Sequence, residues 1–86
     1  MIGPGSVVQV PMNYKVLGAV ANGRPVEGSA GSVHARRPML VMSVAKIPDA
    51  WRLGAAVNCS WLVVVLVGTR MGWLYDYEVT SFPFPA

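Results

Sequence analysis

Two apolar runs dominate the hydrophobic pattern of the chain. Trp61–Val67 is apolar at all seven positions, and residues 39–47 (MLVMSVAKI) are apolar on both alternating faces apart from one serine and one lysine. The valines of these runs favour strand over helix, and runs of this length between turn residues are typical of strands buried on both faces. We therefore predict two strands here, Trp61–Val67 buried on both faces and residues 39–47 with both faces largely apolar.

Two weaker patterns near the start of the chain predict further strands. Residues 5–12 (GSVVQVPM) alternate valines between two faces and end near a proline, which cannot donate to a strand ladder. Residues 15–21 are followed by Asn22-Gly23, a pair that adopts the positive φ angles of a tight turn. A short strand that closes at this turn is expected.

The last predicted strand lies near the end of the chain. Residues 73–79 follow a segment, 68–72, that begins and ends with glycine. We predict that they pair with Trp61–Val67 as an antiparallel hairpin through this turn. About five short strands with glycine-rich turns are typical of a small barrel or sandwich, so the predicted fold class is all-β.

The remaining segments contain few strand signals. Residues 22–38 are rich in glycine and poor in apolar side chains, which predicts a long loop. Residues 48–60 are compatible with a short helical turn or with a strand-to-strand loop. Residues 1–4 and 80–86 are predicted to be extended tails, the second because it alternates phenylalanine and proline. The whole chain, 1–86, is expected to be a single small β domain.

A membrane span over residues 53–69 is an alternative for the most apolar region. A spanning helix needs about 20 mostly apolar residues. Here a serine, an asparagine and two glycines interrupt a shorter stretch. The strand interpretation is therefore preferred, and contact with a membrane is not expected.

Composition indicates that other protein chains cover part of the surface. Apolar residues make up 53% of the chain and charged residues 13%, against about 25% charged in typical soluble domains. A chain of 86 residues usually needs an additional source of stability. Cys59 is the single cysteine, so an intrachain disulfide is excluded and oligomerisation is favoured. A monomer this small is not expected to cover both faces of its two apolar strands, so their outer faces are expected to meet other subunits.

No enzymatic chemistry is expected. One histidine and four scattered carboxylates do not make a metal site, and no phosphate-binding loop or dinucleotide fingerprint is present. Asp76 and Glu78 would share one face of the last strand, but nothing near them suggests a catalytic cleft. No catalytic residue, cofactor or metal ligand is therefore predicted.

The two ends of the chain resemble small barrels of the Src-homology-3 type that occur in short phage and bacterial proteins. The resemblance lies in the opening GSVVQV and in the later VVVLVGTRMGWLYDYEV, and the middle of the chain departs from that pattern. It implies a small barrel. Members of the class bind peptides, nucleic acids or other virion proteins, so the resemblance implies several functions.

Aromatic residues near the end of the chain are candidates for a partner interface. Trp73, Tyr75 and Tyr77 alternate, so on a strand they would share one face. They could pack a core, contact a partner protein or stack on nucleic-acid bases. Phe82 and Phe84 are expected to dock into a groove of a neighbouring subunit, since the prolines around them keep the tail extended.

Arg36 and Arg37 are the one adjacent basic pair in a chain of net charge +3, and His34 lies close to them. They are expected to meet carboxylates on a partner protein, where a guanidinium makes bidentate bonds. A phosphate contact is the alternative. No basic run of the length typical of nucleic-acid binders is present, so nucleic acid is not the expected partner.

These features predict a structural protein that binds other protein subunits, either itself or a major capsid protein. A small phage virion component, such as a capsid decoration (cement) protein on the shell exterior, fits best. The alternatives are a small nucleic-acid-binding or regulatory β-barrel and a membrane protein with one span. The first segment lacks the features of a signal peptide, so a location outside a virion would be the cytoplasm.

Overall fold

Every strand in the computed structural model belongs to one antiparallel sheet. The model describes residues 2–11, 13–47 and 61–83. The strands in chain order are β1 (Val7–Gln9), β2 (Tyr14–Ala21), β3 (Arg24–His34), β4 (Met39–Lys46), β5 (Trp61–Val67), β6 (Arg70–Tyr75) and β7 (Thr80–Ser81), with a 3₁₀ helix (Asp76–Glu78) after β6. Their order across the sheet is β3-β2-β6-β5-β4-β1-β7. The predicted all-β class is confirmed.

The strand β5 is buried on both faces, as its sequence predicts. Val63, Val65 and Val67 belong to the main core, which lies on one face of the sheet. On the other face, called the outer face below, Leu62 packs against Trp73 and Tyr75. The expectation that the outer face of this strand needs another subunit to cover it is therefore wrong, because large aromatic side chains of the same chain pack there. The next strand, β4, does expose apolar side chains, Leu40 and Met42.

The predicted hairpin between β5 and β6 is present, but its turn is shorter than expected. Val67 pairs directly with Arg70, so the turn consists of Gly68, with φ 62°, and Thr69. Gly72 is not a turn residue and lies inside β6. The physical reason for this glycine is packing, since a Cβ there would lie 2.7 Å from the Cβ of Leu17.

The long loop predicted over residues 22–38 is wrong. Arg24–His34 forms β3, which pairs with β2 through a turn at Asn22-Gly23 with φ angles of 53° and 75°. The strand sits at one edge of the sheet and most of its side chains are exposed, so it shows little apolar pattern. Its glycines suggest a loop by composition, but β3 keeps its pairing with β2 around two register shifts.

The main core brings together strands that are distant in the sequence. Its buried members are Val8, Val10, Leu17, Val33, Met39, Val41, Val63, Val65, Val67, Leu74 and Val79. Beside it, the backbone N–H of Arg36 donates to the carbonyl of Val10 (2.9 Å), and that of Ala35 donates to Asn13 (2.6 Å). These bonds join the end of β3 to the segment that follows β1, so the sheet curves around its core.

The described parts of the two predicted tails form regular backbone structure, which was not expected. Thr80–Ser81 is a strand, β7, that pairs with β1, and the N–H of Phe82 donates to the carbonyl of Val7 (2.9 Å). At the other end, a turn is closed by a bond from Ser6 N–H to the Gly3 carbonyl (3.0 Å). Backbone hydrogen bonds explain both corrections, because β1 offers an open edge to the carboxy-terminal tail and Val41 exchanges bonds with Gly5 and Ser6 at the other end.

Some predictions fall on other parts of the chain. Residues 48–60, with the proposed helical turn and Cys59, lie outside the described residues, as does Phe84. Of the span proposed over 53–69, the described part is mostly the strand β5 rather than a helix. Within the described ranges, no helix is long and apolar enough to cross a membrane.

Candidate functional site

The indole of Trp73 packs against the sheet rather than lying on an open surface. Trp73 pairs with Gly18 of β2, and any Cβ at Gly18 would collide with the indole ring. The ring therefore lies flat across β2, and its Nε1–H donates to the Val26 carbonyl of β3 (3.0 Å). Of the roles open to Trp73 at the sequence level, internal packing is the one that its contacts support.

Tyr75 and Tyr77 extend this aromatic group towards solvent. The rings of Trp73 and Tyr75 meet edge to face with centroids 5.3 Å apart, and those of Tyr75 and Tyr77 are stacked at 5.5 Å. The prediction that all three alternate on one strand is wrong, since β6 ends at Tyr75 and Tyr77 lies in the 3₁₀ helix. Of the three, Tyr77 is the exposed one, with 66% of its surface accessible.

Glu78 fixes the position of the 3₁₀ helix. Its Oε1 accepts a hydrogen bond from the backbone N–H of Tyr75 (2.9 Å), and its Oε2 lies 3.5 Å from Lys15 Nζ. Asp76 instead lines the groove described next. The two carboxylates therefore occupy different environments and do not share a strand face as predicted. Glu78 has a structural role in holding Tyr77 where it is.

An apolar groove of about 830 Å³ lies beside the 3₁₀ helix. It is lined by Ile2, Gly3, Pro4, Val44, Trp61, Val63, Asp76 and Tyr77. Trp61 is 42% exposed, so two large aromatic residues present surface at this site. Asp76 is the one carboxylate in the lining. We call this site the Trp61 groove.

The Trp61 groove is assembled from separate parts of the chain. Val44 and Val63 are paired across β4 and β5. Trp61 lies two residues before Val63 on β5, so the two side chains share a face of the sheet. The amino-terminal turn supplies one wall and the 3₁₀ helix another. Sequence reasoning identified Tyr77 but missed Trp61, which was assigned to a buried strand. Its position as the first residue of that strand was the available signal, since strand ends are more accessible than strand centres.

The predicted basic pair lies at a different place. Arg36 and Arg37 are exposed in the connection between β3 and β4, and the guanidinium of Arg37 lies near Gly68 in the β5–β6 turn. Neither arginine lines the Trp61 groove, but Tyr77 also lines a depression with Val10, whose carbonyl accepts from the Arg36 N–H. His34 is exposed on β3 and pairs with Tyr14 of β2. Phe82 is half-buried beside β1.

Arg70 is a further arginine near the β5–β6 turn, and sequence reasoning did not single it out. It follows the turn that Arg37 approaches, and its Nη2–H donates to the carbonyl of Ser32 (3.0 Å). Arg70 is far from Arg36 in the sequence, and no local pattern links them. Only the pairing of β4, β5 and β6 brings these turns together.

Among the described residues, no group of three or more His, Cys, Asp or Glu side chains is arranged to hold a metal ion. Comparison of the chain with protein-family models, curated proteins and solved structures gives no match. The candidate sites are therefore the Trp61 groove and the arginine-bearing turns.

Proposed function

We propose that this protein is a non-enzymatic assembly protein that docks onto other protein subunits through the Trp61 groove. The observation that supports this is the exposure of Trp61 and Tyr77 in an apolar groove. Tryptophan and tyrosine bring large contact area at low entropic cost and are enriched at the centres of protein interfaces. An extended apolar segment of a partner is the ligand that such a surface fits.

The contacts that hold Tyr77 in the Trp61 groove also support the proposal. Tyr77 stacks on Tyr75, and Glu78 ties the 3₁₀ helix to the end of β6. A surface that is already ordered loses little side-chain entropy on binding. Leu40 and Met42 add exposed apolar area on β4.

The finer form of the proposal is a structural component of a virion, such as a capsid decoration protein. It rests on the resemblance at the two ends of the chain and on the low charge content, and the partner would be the shell protein or further copies of this chain. A decoration protein needs an adhesive surface and no active site. The Trp61 groove is the surface we assign to that contact.

The test compares two exposed tyrosines. Tyr77→Ala removes a ring from the groove, whereas Tyr14→Ala removes a ring that is 61% exposed on β2 and is not among the residues that line the groove. We expect the purified chain to self-associate in sedimentation velocity or to bind shells of its source virus. Tyr77→Ala should weaken that association by about 1–3 kcal/mol, and Tyr14→Ala should leave it unchanged.

Two outcomes would overturn the proposal. One is equal loss of association in the two variants, which would mean that the groove is not the contact. The other is a chain that stays monomeric, binds no shell and binds DNA or RNA with an affinity that falls steeply with salt. That result would support the nucleic-acid-binding alternative.

A further inference from the structure

Arg36 occupies a backbone conformation that suits glycine. Its φ is 64°, and every other residue with positive φ in the described ranges is glycine or asparagine. Bulky residues rarely adopt this region, because Cβ approaches the backbone carbonyl. Two backbone hydrogen bonds, from the N–H groups of Ala35 and Arg36, hold the turn in this shape. The fold would accept glycine at this position at lower cost.

Within the described part of the chain, no contact of the Arg36 side chain offsets the free-energy cost of its positive φ. It is exposed, and no hydrogen bond or ion pair of its guanidinium is present there. Strained residues of this kind concentrate at functional sites. The Arg36 guanidinium is therefore available for a contact with a partner molecule.

Two more arginines lie at the β5–β6 turn. Arg37, which follows Arg36 in the chain, approaches this turn, and Arg70 follows it. Gly31 leaves space for Arg70, since a Cβ there would collide with its Nη1 atom. We call Arg36, Arg37 and Arg70 the arginine surface.

Within the described ranges, no ion pair joins these three arginines to a carboxylate. Glu78 lines a depression with Val10, whose carbonyl accepts from the Arg36 N–H, but its carboxylate is paired with Lys15. The arginine surface therefore keeps a positive charge that no ion pair of the described residues neutralises.

We propose that the arginine surface binds a carboxylate-rich surface of a partner protein. This inference rests on the proposed function, because it names the chemistry of the partner. Guanidinium groups bind carboxylates with paired hydrogen bonds. Three arginines on two turns can bind several carboxylates of one partner. A nucleic acid needs a longer track of cations along its phosphates, and Lys15, another exposed cation, is already paired with Glu78.

The test uses Arg36→Gly, which removes the guanidinium and relaxes the backbone. The probes are fluorescein-labelled poly-L-glutamate and a short DNA duplex of similar charge, each titrated with purified chain at low ionic strength. We expect the Kd for poly-L-glutamate to rise at least about threefold, the effect of losing one exposed ionic contact. The unfolding midpoint should be unchanged or higher, because the strain is gone.

Two variants are matched controls. Arg24→Ala removes an exposed arginine at the Asn22-Gly23 turn, and Asn22→Gly relaxes another residue with positive φ without changing charge. Both should leave the Kd within experimental error. Arg37→Ala should repeat the loss of binding without altering φ at residue 36.

The proposal is overturned if Arg36→Gly and Arg37→Ala bind poly-L-glutamate as the unaltered chain does, or if Arg24→Ala weakens binding as much. Tighter binding of the DNA duplex, lost in Arg36→Gly, would assign the surface to nucleic acid instead. The titration does not depend on self-association. If Tyr77→Ala does not weaken association, docking through the Trp61 groove is wrong, but the titration still tests the arginine surface. If the titration fails, the arginine surface is wrong and the groove proposal is unaffected.

Discussion

At the residue scale, two glycines allow β2 and β6 to pack closely. Gly18 lies under the Trp73 ring, and Gly72 lies under the Leu17 side chain. The two contacts are on opposite faces of the same pair of strands, since Leu17 belongs to the main core and Trp73 to the outer face. Each large side chain thus occupies the space that a missing Cβ leaves on the neighbouring strand.

Gly18→Ala should therefore destabilise the protein. Its Cβ would collide with the Trp73 indole, which is held by its bond to Val26 and cannot move aside without losing it. Overpacking of this kind costs about 1–3 kcal/mol. Urea denaturation followed by circular dichroism measures the loss. Gly3→Ala is the control, because nothing lies within 4 Å of its Cβ position. Equal stability of the two variants would contradict this account of Trp73.

At the scale of elements, the 3₁₀ helix converts the end of β6 into a wall of the Trp61 groove. A continuous strand would have carried residues 76–78 onward in line with β6. The carboxylate of Glu78 instead caps the turn by accepting from the Tyr75 N–H. The placement of Tyr77 thus depends on a polar contact that hydrophobic periodicity does not report.

Glu78→Ala and Glu78→Gln separate the two contacts of this side chain. Alanine removes the acceptor for the half-buried N–H of Tyr75 and should cost about 1–2 kcal/mol in unfolding free energy. Glutamine keeps an acceptor oxygen and loses the ion pair. Lys15 is 47% exposed, so this loss should cost less than about 1 kcal/mol. Urea denaturation of both variants provides the measurement. If glutamine is as damaging as alanine, the ion pair and not the cap holds the helix.

At the scale of the whole molecule, the two ends of the chain meet in the sheet. β1 lies between β4 and β7, so residues near the start of the chain pair with residues near its end. Val79, just before β7, is buried in the main core. The chain closes on itself without a disulfide, and this closure supplies part of the stability that a small domain needs.

Removal of residues 80–86 should therefore destabilise the fold more than removal of residues 84–86 alone. The longer deletion takes away β7 and its backbone bonds to β1, at about 0.5–1.5 kcal/mol per hydrogen bond. Amide hydrogen exchange should become faster in β1 for that variant alone. Unchanged exchange after the longer deletion would mean that β7 contributes nothing to the fold. If the shorter deletion weakens association and leaves the fold intact, the last residues contribute to docking, as their sequence predicts.

The sequence by itself determined the all-β class, the strand β4, the burial of β5 on both faces, the Asn22-Gly23 turn and the antiparallel pairing of β5 with β6. Each of these follows from local chemistry, because apolar runs rich in valine seek burial and an Asn-Gly pair accepts positive φ. The tertiary structure decided the rest. The strand β3 forms because β2 offers it hydrogen-bonding partners, although its glycine-rich sequence predicts a loop. Exposed edge strands need little apolar pattern, so periodicity cannot detect them.

The candidate sites divide in the same way. Tyr77 and the Arg36-Arg37 pair were visible in the sequence as residue types suited to interfaces. Trp61 and Arg70 were not, since their roles depend on strand pairing between distant segments. Trp61 reaches the groove because it begins a strand beside the amino-terminal turn, and Arg70 reaches the basic turns because β5 and β6 form a tight hairpin. A surface built from separate segments is determined by the register of the sheet, which local sequence does not contain.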